Sequence, residues 1–229
     1  MSLANLRDLT NHSDALNSPN PTIHPKPPPV LIVVEGAYDV DFLRLLTARL
    51  QLEDPSIPYL GLLEQIGRVI FVPFGGGRIV SWSNRFAALK CPEFHLYDRE
   101  IAPETAIRQE VVALINRRPN CRALLLNKHS LENYLHSAAI SDAGGGLIQV
   151  SNDTRMSTVV ARNWFLCRPH DREWEELSPR ARRRMANQAK RWLNTDAVDR
   201  MTLAMLIQSD PAGELLSWLR AITDAVGDT

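Results

Sequence analysis

The sequence predicts an α/β fold in which a mostly parallel, four-stranded sheet is flanked by helices and followed by a C-terminal helical extension. Two observations support this fold class. Five consecutive apolar residues, Val30–Val34, four of them β-branched, are typical of a strand buried on both faces. Between residues 30 and 135, short apolar runs alternate with helical patterns, which indicates parallel strands joined by right-handed crossovers.

The first predicted strand leads into Glu35, a turn at Gly36 and a helix that begins at about Asp39, the expected N-cap. The apolar stripe of this helix comprises Phe42, Leu43, Leu46 and Leu50. Further strands are predicted over residues 68–74, 94–97 and 123–126, and helices over residues 79–89 and 103–117. The predicted buried face of the helix at 103–117 comprises Ile107, Val111, Leu114 and Ile115.

The composition divides the chain into three regions. Residues 1–29, rich in Asn, Ser, Thr and Pro, predict a disordered or polyproline-II tail. Residues 30–140 predict the α/β core, and residues 141–229 a mainly helical extension. Ser178, Thr195 and Asp210 are expected to cap three helices of this extension. Their predicted buried stripes contain Met201, Ala204, Met205, Leu215, Leu216, Leu219 and Ile222.

The overall composition favours a globular protein of the cytoplasm. The 229 residues are 45% apolar, and 26 basic residues balance 26 acidic ones, so net charge favours no partner. The three cysteines are widely spaced and fit neither a disulfide framework nor a zinc site. No apolar stretch reaches the roughly 18 residues of a membrane span, and the first residues lack a signal-peptide core, so we expect no membrane association.

Acidic side chains follow two of the predicted strands. Glu35 ends the first strand, and Asp98 and Glu100 follow the third. Because parallel strands end at one edge of a sheet, we expect these carboxylates to lie close together, with Asp98 and Glu100 on one face. Like charges so close repel, so either one carboxyl is protonated or a divalent cation lies among them. Oxygen ligands without His or Cys favour Mg²⁺ or Mn²⁺ over zinc.

Basic residues accompany these acids. Arg78 follows the glycine run after the second strand, Arg99 lies between Asp98 and Glu100, and Lys128 follows the fourth strand. A hard cation flanked by such side chains suits phosphodiester chemistry, and Arg78 and Arg99 are assigned to nucleic-acid binding. The helix from about residue 179 is also basic, which predicts phosphate binding, although a solvated helix surface is the alternative. Its basic residues assigned to nucleic-acid binding are Arg180, Arg183, Arg184, Lys190 and Arg191.

Two nucleotide-binding motifs do not occur in the sequence. No G-x-x-x-x-G-K-[ST] is found, so the chain carries no P-loop NTPase site of its own. The glycine run at residues 75–77 is not G-x-G-x-x-G, which counts against a dinucleotide site. It indicates either a close backbone approach to a phosphate or a plain tight turn.

Four motifs, in order along the predicted strand ends, resemble the TOPRIM domain of topoisomerases, primases and nucleases. They are VVEGAYD after the first strand, the glycine-rich turn after the second, LYDRE after the third and LNKHSLENYL after the fourth. The last motif is similar to that of nucleases of the overcoming-lysogenization-defect (OLD) class and their stand-alone relatives in phage defence. The resemblance covers residues 30–135.

This resemblance implies a nuclease that hydrolyses DNA or RNA with two Mg²⁺ or Mn²⁺ ions, and an ATPase partner in trans. The carboxylates implied to hold the ions are Glu35, Asp39, Asp98, Glu100 and Glu132. Glu35 and Asp98 are implied to be catalytic, and Lys128 to stabilise the phosphate. The family usually has Asp-x-Asp after the third strand, where this chain has Asp98-x-Glu100, one methylene longer.

Two alternatives to a nuclease follow from the same residues. One is a non-catalytic TOPRIM-like module that binds nucleic acid or a partner protein, with Glu100 marking lost chemistry. The other is a phospho-accepting receiver, because Asp98 follows the third strand and Lys128 the fourth. A receiver needs an acidic pair after the first strand, where Glu35 stands alone, so this alternative is the weaker one.

Overall fold

A computed structural model of the chain describes residues 27–76, 79–100, 102–169 and 171–227. All but the last three residues of the predicted tail lie outside these ranges, as does Arg78. The strands are β1 (Val30–Val34), β2 (Val69–Pro73), β3 (Glu93–Tyr97) and β4 (Cys121–Leu125). They form one parallel sheet in the order β2-β1-β3-β4, which confirms the predicted α/β fold.

Helices flank this sheet and make up most of the C-terminal region, as predicted. Within the described residues they are α1 (Ala37–Glu53), α2 (Leu60–Gln65), α3 (Glu104–Ile115), α4 (Ser137–Ile140), α5 (Met156–Leu166), α6 (Pro179–Trp192), α7 (Leu203–Ser209) and α8 (Glu214–Val226). None of them combines the length and the apolar character that crossing a membrane requires.

Strand β1 lies at the centre of the sheet. All five of its residues are buried, because β2 and β3 flank it and helices cover both faces. Val33 of β1 pairs with His95 of β3, so the residues that follow these two strands emerge side by side. This register brings Glu35 next to Asp98 at the carboxyl edge of the sheet, where open α/β sheets bind their ligands.

The C-terminal helices share the main hydrophobic core with the sheet. One buried cluster contains Ile32 of β1, Leu43 of α1, Val160 of α5 and Trp218 of α8. Leu43, Val160 and Trp218 are fully buried. This packing holds α6 beside the start of α1, at the same edge of the sheet as the acidic residues.

Two predictions about the first half of the chain are wrong in detail. Helix α1 begins at Ala37, with Gly36 as its N-cap. Asp39 is the third helical residue, and its Oδ2 accepts a hydrogen bond from the Gly36 N–H at 2.7 Å. Residues 79–89 form two short 3₁₀ turns and not a helix. The Ser83 hydroxyl donates to the Val80 carbonyl, and such local bonds compete with helix formation.

Helix α3 packs through a narrower face than predicted. Val111 and Ile115 are buried, but Ile107 and Leu114 are 45% and 47% exposed. Residues 111 and 115 are four apart and share one side of the helix, whereas residues 107 and 114 are rotated by roughly 60–80° from the middle of that side, away from position 108. The same buried side includes position 108, which is Arg108.

The predicted caps of the C-terminal helices are correct in one case. Ser178 caps α6, since its hydroxyl accepts a hydrogen bond from the Ala181 N–H. Thr195 caps no helix, because the chain continues from α6 through a π turn at Leu193–Ala197. The N-cap of α7 is Thr202 instead.

The last predicted cap, Asp210, is not the N-cap of α8, but its side chain accepts a hydrogen bond from the first turn of that helix. The residue before α8 is Gly213, and the Asp210 carboxylate accepts a hydrogen bond from the Leu215 N–H in the first turn. The stripe predicted for α7 is wrong at Ala204, which is exposed, while Leu206 is buried. The stripe predicted for α8 is confirmed.

Candidate functional site

Three carboxylates converge at the carboxyl edge of the sheet, as the sequence predicted. Glu35, Asp98 and Glu100 each place one oxygen so that the three oxygens lie within 4.8 Å of one another. Asp98 is buried, and the other two are partly buried. The backbone of Glu100 is left-handed, with φ 55°, so Glu100 reaches the group through a turn and not along extended backbone.

The Glu35 carboxylate is held in place by an arginine that the sequence reasoning missed. Both terminal nitrogens of Arg108 donate to its two oxygens, the second at 3.3 Å, and the Asp98 N–H donates to Oε1 at 3.1 Å. Arg108 also donates to the Asp98 carbonyl. Arg108 lies on the same helix face as Val111 and Ile115, and this spacing was the signal that could have revealed it.

A second acidic pair surrounds a lysine. Lys190 Nζ lies 3.6 Å from Asp39 Oδ1 and 3.5 Å from Glu132 Oε1. The Ser130 hydroxyl donates to Glu132 at 2.5 Å, and the Asn194 side-chain amide donates to it at 2.6 Å. The sequence assigned Lys190 to nucleic-acid binding, but its ammonium bridges two buried carboxylates. The reason is position, because Lys190 lies on the side of α6 that faces the start of α1.

Burial and mutual repulsion shift the protonation of these acids. Burial raises the pKa of Asp98 well above its ordinary value, and the charges of Glu35, Glu132 and Asp39 raise it further. Burial raises the pKa of Asp39 to about 6, against the opposing effect of Lys190. For Glu132, burial acts upward, but Lys190 and two hydrogen bonds outweigh it and lower the pKa.

Asp98 is the acid that the protein leaves least compensated. Within the described ranges, no side chain or backbone group donates a hydrogen bond to its carboxylate, and no cation lies within 4 Å of it. At 4.8 Å and an effective dielectric constant near 20, each like-charged pair costs about 3.5 kcal/mol. The site therefore favours either a proton or a divalent cation at Asp98.

A cleft of about 530 Å³ opens onto this group. Its acidic side is formed by Asp98, Glu100 and Glu132 together with Lys190. Arg155, Arg182 and Arg183 also line the cleft. Arg155 reaches within 3.9 Å of Glu100, whereas no carboxylate in the described parts of the chain pairs with Arg182 or Arg183. The cleft thus presents carboxylates for a cation beside guanidinium groups for an anion.

Three other predicted basic residues of α6 lie outside this cleft. Arg180, Arg184 and Arg191 are exposed and line a neighbouring groove, and Arg183 lines both. The basic surface of α6 is therefore continuous with the acidic cleft.

Lys128 and Arg99 are not brought to the carboxylate group. Lys128 donates to the carbonyls of Asn133 and Ser209 and lies over the ring of Tyr134. Strand β4 is at the edge of the sheet, and β3 separates it from β1. Arg99 bonds to the Asn127 carbonyl and to Asp153.

One divalent cation fits the first group of acids. Ligands on opposite sides of a Mg²⁺ ion are about 4 Å apart, close to the spread of the oxygens of Glu35, Asp98 and Glu100. A second ion between Asp39 and Glu132 fits less well, because the Lys190 ammonium already lies there. Asp39 Oδ1 is buried and accepts no hydrogen bond from the described residues, so it is free to bind a cation that displaces Lys190.

Fold and site together define an α/β protein with a cluster of carboxylates at the carboxyl edge of a parallel sheet, next to an arginine-rich helix. Comparisons of the chain with protein-family models, with curated proteins and with solved structures found no match. The resemblance to TOPRIM nucleases therefore stays a prediction from the four sequence motifs.

Proposed function

We propose that this protein is a metal-dependent nuclease that hydrolyses phosphodiester bonds of DNA or RNA. The observation that carries the proposal is the convergence of the oxygens of Glu35, Asp98 and Glu100 within 4.8 Å, with Asp98 and Glu100 lining a cleft that arginines also line. Oxygen ligands of this kind suit Mg²⁺ or Mn²⁺. A bound divalent cation supplies Lewis-acid activation of the phosphorus centre and of a water molecule.

The chain's own residues have separate tasks in this proposal. Arg108 and the Asp98 N–H fix the orientation of Glu35, so that one acid of the set is ordered before any ligand arrives. Asp98 would hold the cation together with Glu35 and Glu100, and its raised pKa means that a proton and a cation would compete for its carboxylate. Arg182 and Arg183 bind the phosphates that flank the scissile bond.

The choice of substrate favours a polyanion for reasons of charge. Five carboxylates lie at this edge of the sheet, and the two positive charges of Arg108 and Lys190 compensate only part of their negative charge. Arg182 and Arg183, in contrast, line the cleft and pair with no carboxylate of the described residues. A phosphodiester backbone satisfies both sides, since its phosphates meet the arginines while a cation screens them from the acids.

Cleavage of labelled oligonucleotides tests this proposal. Purified protein is incubated with single- and double-stranded DNA and RNA in Mg²⁺ and in Mn²⁺, with EDTA as the blank. We expect cleavage that depends on the metal and falls by at least about 100-fold in Asp98→Asn, as typical for the loss of a group that acts in the transition state. Asp224→Asn, which changes an exposed aspartate that lines neither the cleft nor the neighbouring groove, is the matched control. Intact substrates under all these conditions would overturn the proposal for the isolated chain.

A second candidate is a non-catalytic module that binds nucleic acid. The observation in its favour is the neutralisation of the acids by the protein itself, through Arg108 on Glu35 and Lys190 between Asp39 and Glu132. In that case binding is sensitive to salt and survives Asp98→Asn, and no cleavage accompanies it. An ATPase partner and a role in phage defence rest on the resemblance alone.

A further inference from the structure

Tyr38 is an exposed aromatic residue beside the candidate site. It lies in the first turn of α1, three positions after Glu35. Among the described residues it is the only exposed aromatic side chain, at 37%. Neither its hydroxyl nor its ring has a hydrogen-bond or ring partner in the described parts of the chain. Its ring and hydroxyl are therefore available to a ligand.

Tyr38 lies next to the basic side of α6. Both line a groove of about 590 Å³, to which α6 contributes Arg180, Arg183, Arg184 and Arg191. No carboxylate of the described residues pairs with any of these arginines, so their charges are available to a ligand. All other residues that line the groove belong to α6 or to its N-cap.

This groove and the acidic cleft are neighbours. Arg183 and Asn187 line both of them, because the two depressions lie on adjacent sides of α6. A chain molecule bound in the groove therefore continues into the cleft past these two side chains. The groove has the right position to hold the part of a substrate next to the bond that is cut.

We propose that this groove is a binding track for single-stranded nucleic acid, in which a base stacks on Tyr38 and the arginines of α6 bind the flanking phosphates. The inference rests on the proposed function, since it names the substrate class of that site. Exposed aromatic rings beside basic side chains are typical of single-strand binding, because every unpaired base offers a π-face. In a duplex these faces are covered by neighbouring bases, so Tyr38 favours an unpaired strand.

The test is a binding measurement in EDTA, where no cleavage takes place. The probes are a fluorescein-labelled single-stranded DNA of about 12 nucleotides and the duplex of the same sequence, followed by fluorescence anisotropy. We expect the single strand to bind at least about tenfold more tightly than the duplex. Tyr38→Ala should weaken single-strand binding by about tenfold, and Tyr38→Phe, which keeps the ring, should not.

The contribution of the arginines is measured by the salt dependence of the same binding. Arg184→Gln should reduce the slope of log K against log salt by about 0.7, the value for one phosphate contact on a single strand. Arg117 is an exposed arginine that lines neither the groove nor the cleft, so Arg117→Gln should leave the slope unchanged. Circular dichroism shows whether each variant is folded, and Tyr38→Leu replaces Tyr38→Ala if the latter is not.

The outcomes separate this inference from the proposed hydrolysis. Tighter binding of the duplex, or equal single-strand binding by wild type and Tyr38→Ala, overturns the binding track even if the protein cleaves. Single-strand binding that depends on Tyr38 in a protein that cleaves nothing supports the track and contradicts the hydrolysis.

Discussion

The ammonium nitrogen of Lys190, on α6, lies 3.5 Å from Glu132 Oε1, although the two residues are far apart in the sequence. The same nitrogen is 3.6 Å from Asp39. Both carboxylates are buried, and their charges raise the pKa of the lysine against the opposing effect of burial. The protein thus contains its own cation at the position that the two-ion hypothesis assigns to a second metal.

Lys190→Gln removes that cation and leaves two buried carboxylates without it. We expect the free energy of unfolding in EDTA to fall by about 3 kcal/mol, because breaking a buried ion pair leaves an uncompensated charge. Mn²⁺ should restore part of this loss if a second ion can replace the ammonium. Chemical denaturation with and without Mn²⁺ measures both effects, and Arg191→Gln, an exposed neighbour on α6, is the control. A loss that Mn²⁺ does not restore would limit the site to one ion.

Asp98→Asn should stabilise the metal-free protein while it prevents metal binding. The substitution removes a charge that burial and three neighbouring acids oppose, and no described residue loses a hydrogen bond to that side chain. We expect a melting temperature in EDTA at about pH 7 that is a few degrees above that of wild type. Mg²⁺ should raise the melting temperature of wild type but not of Asp98→Asn. A lower melting temperature of the variant in EDTA would contradict the repulsion argument.

Stability without metal should fall as the pH rises from about 5 to 7. The pKa of Asp39 is raised to about 6 and that of Asp98 is also raised, so the native state binds more protons than the unfolded state in this range. Their contribution is complete below the unfolded pKa and is lost as the pH rises through the folded pKa. Glu132 and Glu93 have lowered pKa values and act in the opposite direction, but at lower pH.

The expected size of this pH effect is at least about 1 kcal/mol, because a folded pKa of about 6 for Asp39 alone contributes roughly 1.3 kcal/mol over this window and the raised pKa of Asp98 adds to it. Urea denaturation in EDTA at about pH 5 and about pH 7 measures it, since both values lie above the unfolded pKa of the other carboxylates. Asp39→Asn is expected to flatten the profile. A stability that increases over this range would show that neither acid holds a proton in the native state.

The sheet and its acidic edge could be predicted from local sequence. Every residue of Val30–Val34 is apolar and buried, and a short run of this kind fits few positions in a fold other than a central strand covered on both faces. The convergence of Glu35 with Asp98 followed from strand order alone. The basic character of α6 was also visible, because it needs no tertiary contact.

The partners of the acids could not be predicted in the same way. Arg108 reaches Glu35 across 73 positions, and Lys190 reaches Asp39 only because the C-terminal helices pack on the sheet. The prediction that Lys128 lies at the carboxylate group was wrong for a related reason. Its position after β4 does not reveal that the carbonyls of Asn133 and Ser209 bind its ammonium group. Long-range packing decides which charges meet, and residue spacing within one element does not contain that information.

A buried chain of hydrogen bonds along β3 should contribute to stability independently of any ligand. Glu93, His95 and Tyr97 share one face, with His95 Nε2 at 3.0 Å from Glu93 and Nδ1 at 2.8 Å from the Tyr97 hydroxyl. The carboxylate accepts the Nε2 proton, so Nδ1 accepts from tyrosine. Tyr97→Phe leaves Nδ1 unpaired in the core and should cost about 1–3 kcal/mol in the free energy of unfolding.

The control for that substitution is Tyr59→Phe, because Tyr59 is only partly buried and its hydroxyl takes part in no hydrogen bond with the described residues. Equal stabilities of Tyr97→Phe and wild type in chemical denaturation would mean that water or another group satisfies His95.

The ion pair between Glu35 and Arg108 should contribute both to stability and to metal binding. Both side chains are mostly buried, at 16% and 13% exposed, and the guanidinium contacts both carboxylate oxygens. Arg108→Gln should lower the free energy of unfolding by about 2–3 kcal/mol, because Glu35 then keeps a charge without its partner. A double-mutant cycle with Glu35→Gln should give a coupling energy of about 1–3 kcal/mol. If Arg108 orients Glu35 for a cation, Arg108→Gln also weakens the Mg²⁺-induced rise in melting temperature, whereas Arg117→Gln does not. A coupling energy near zero, with an unchanged Mg²⁺ effect, would leave Arg108 without a role in the site.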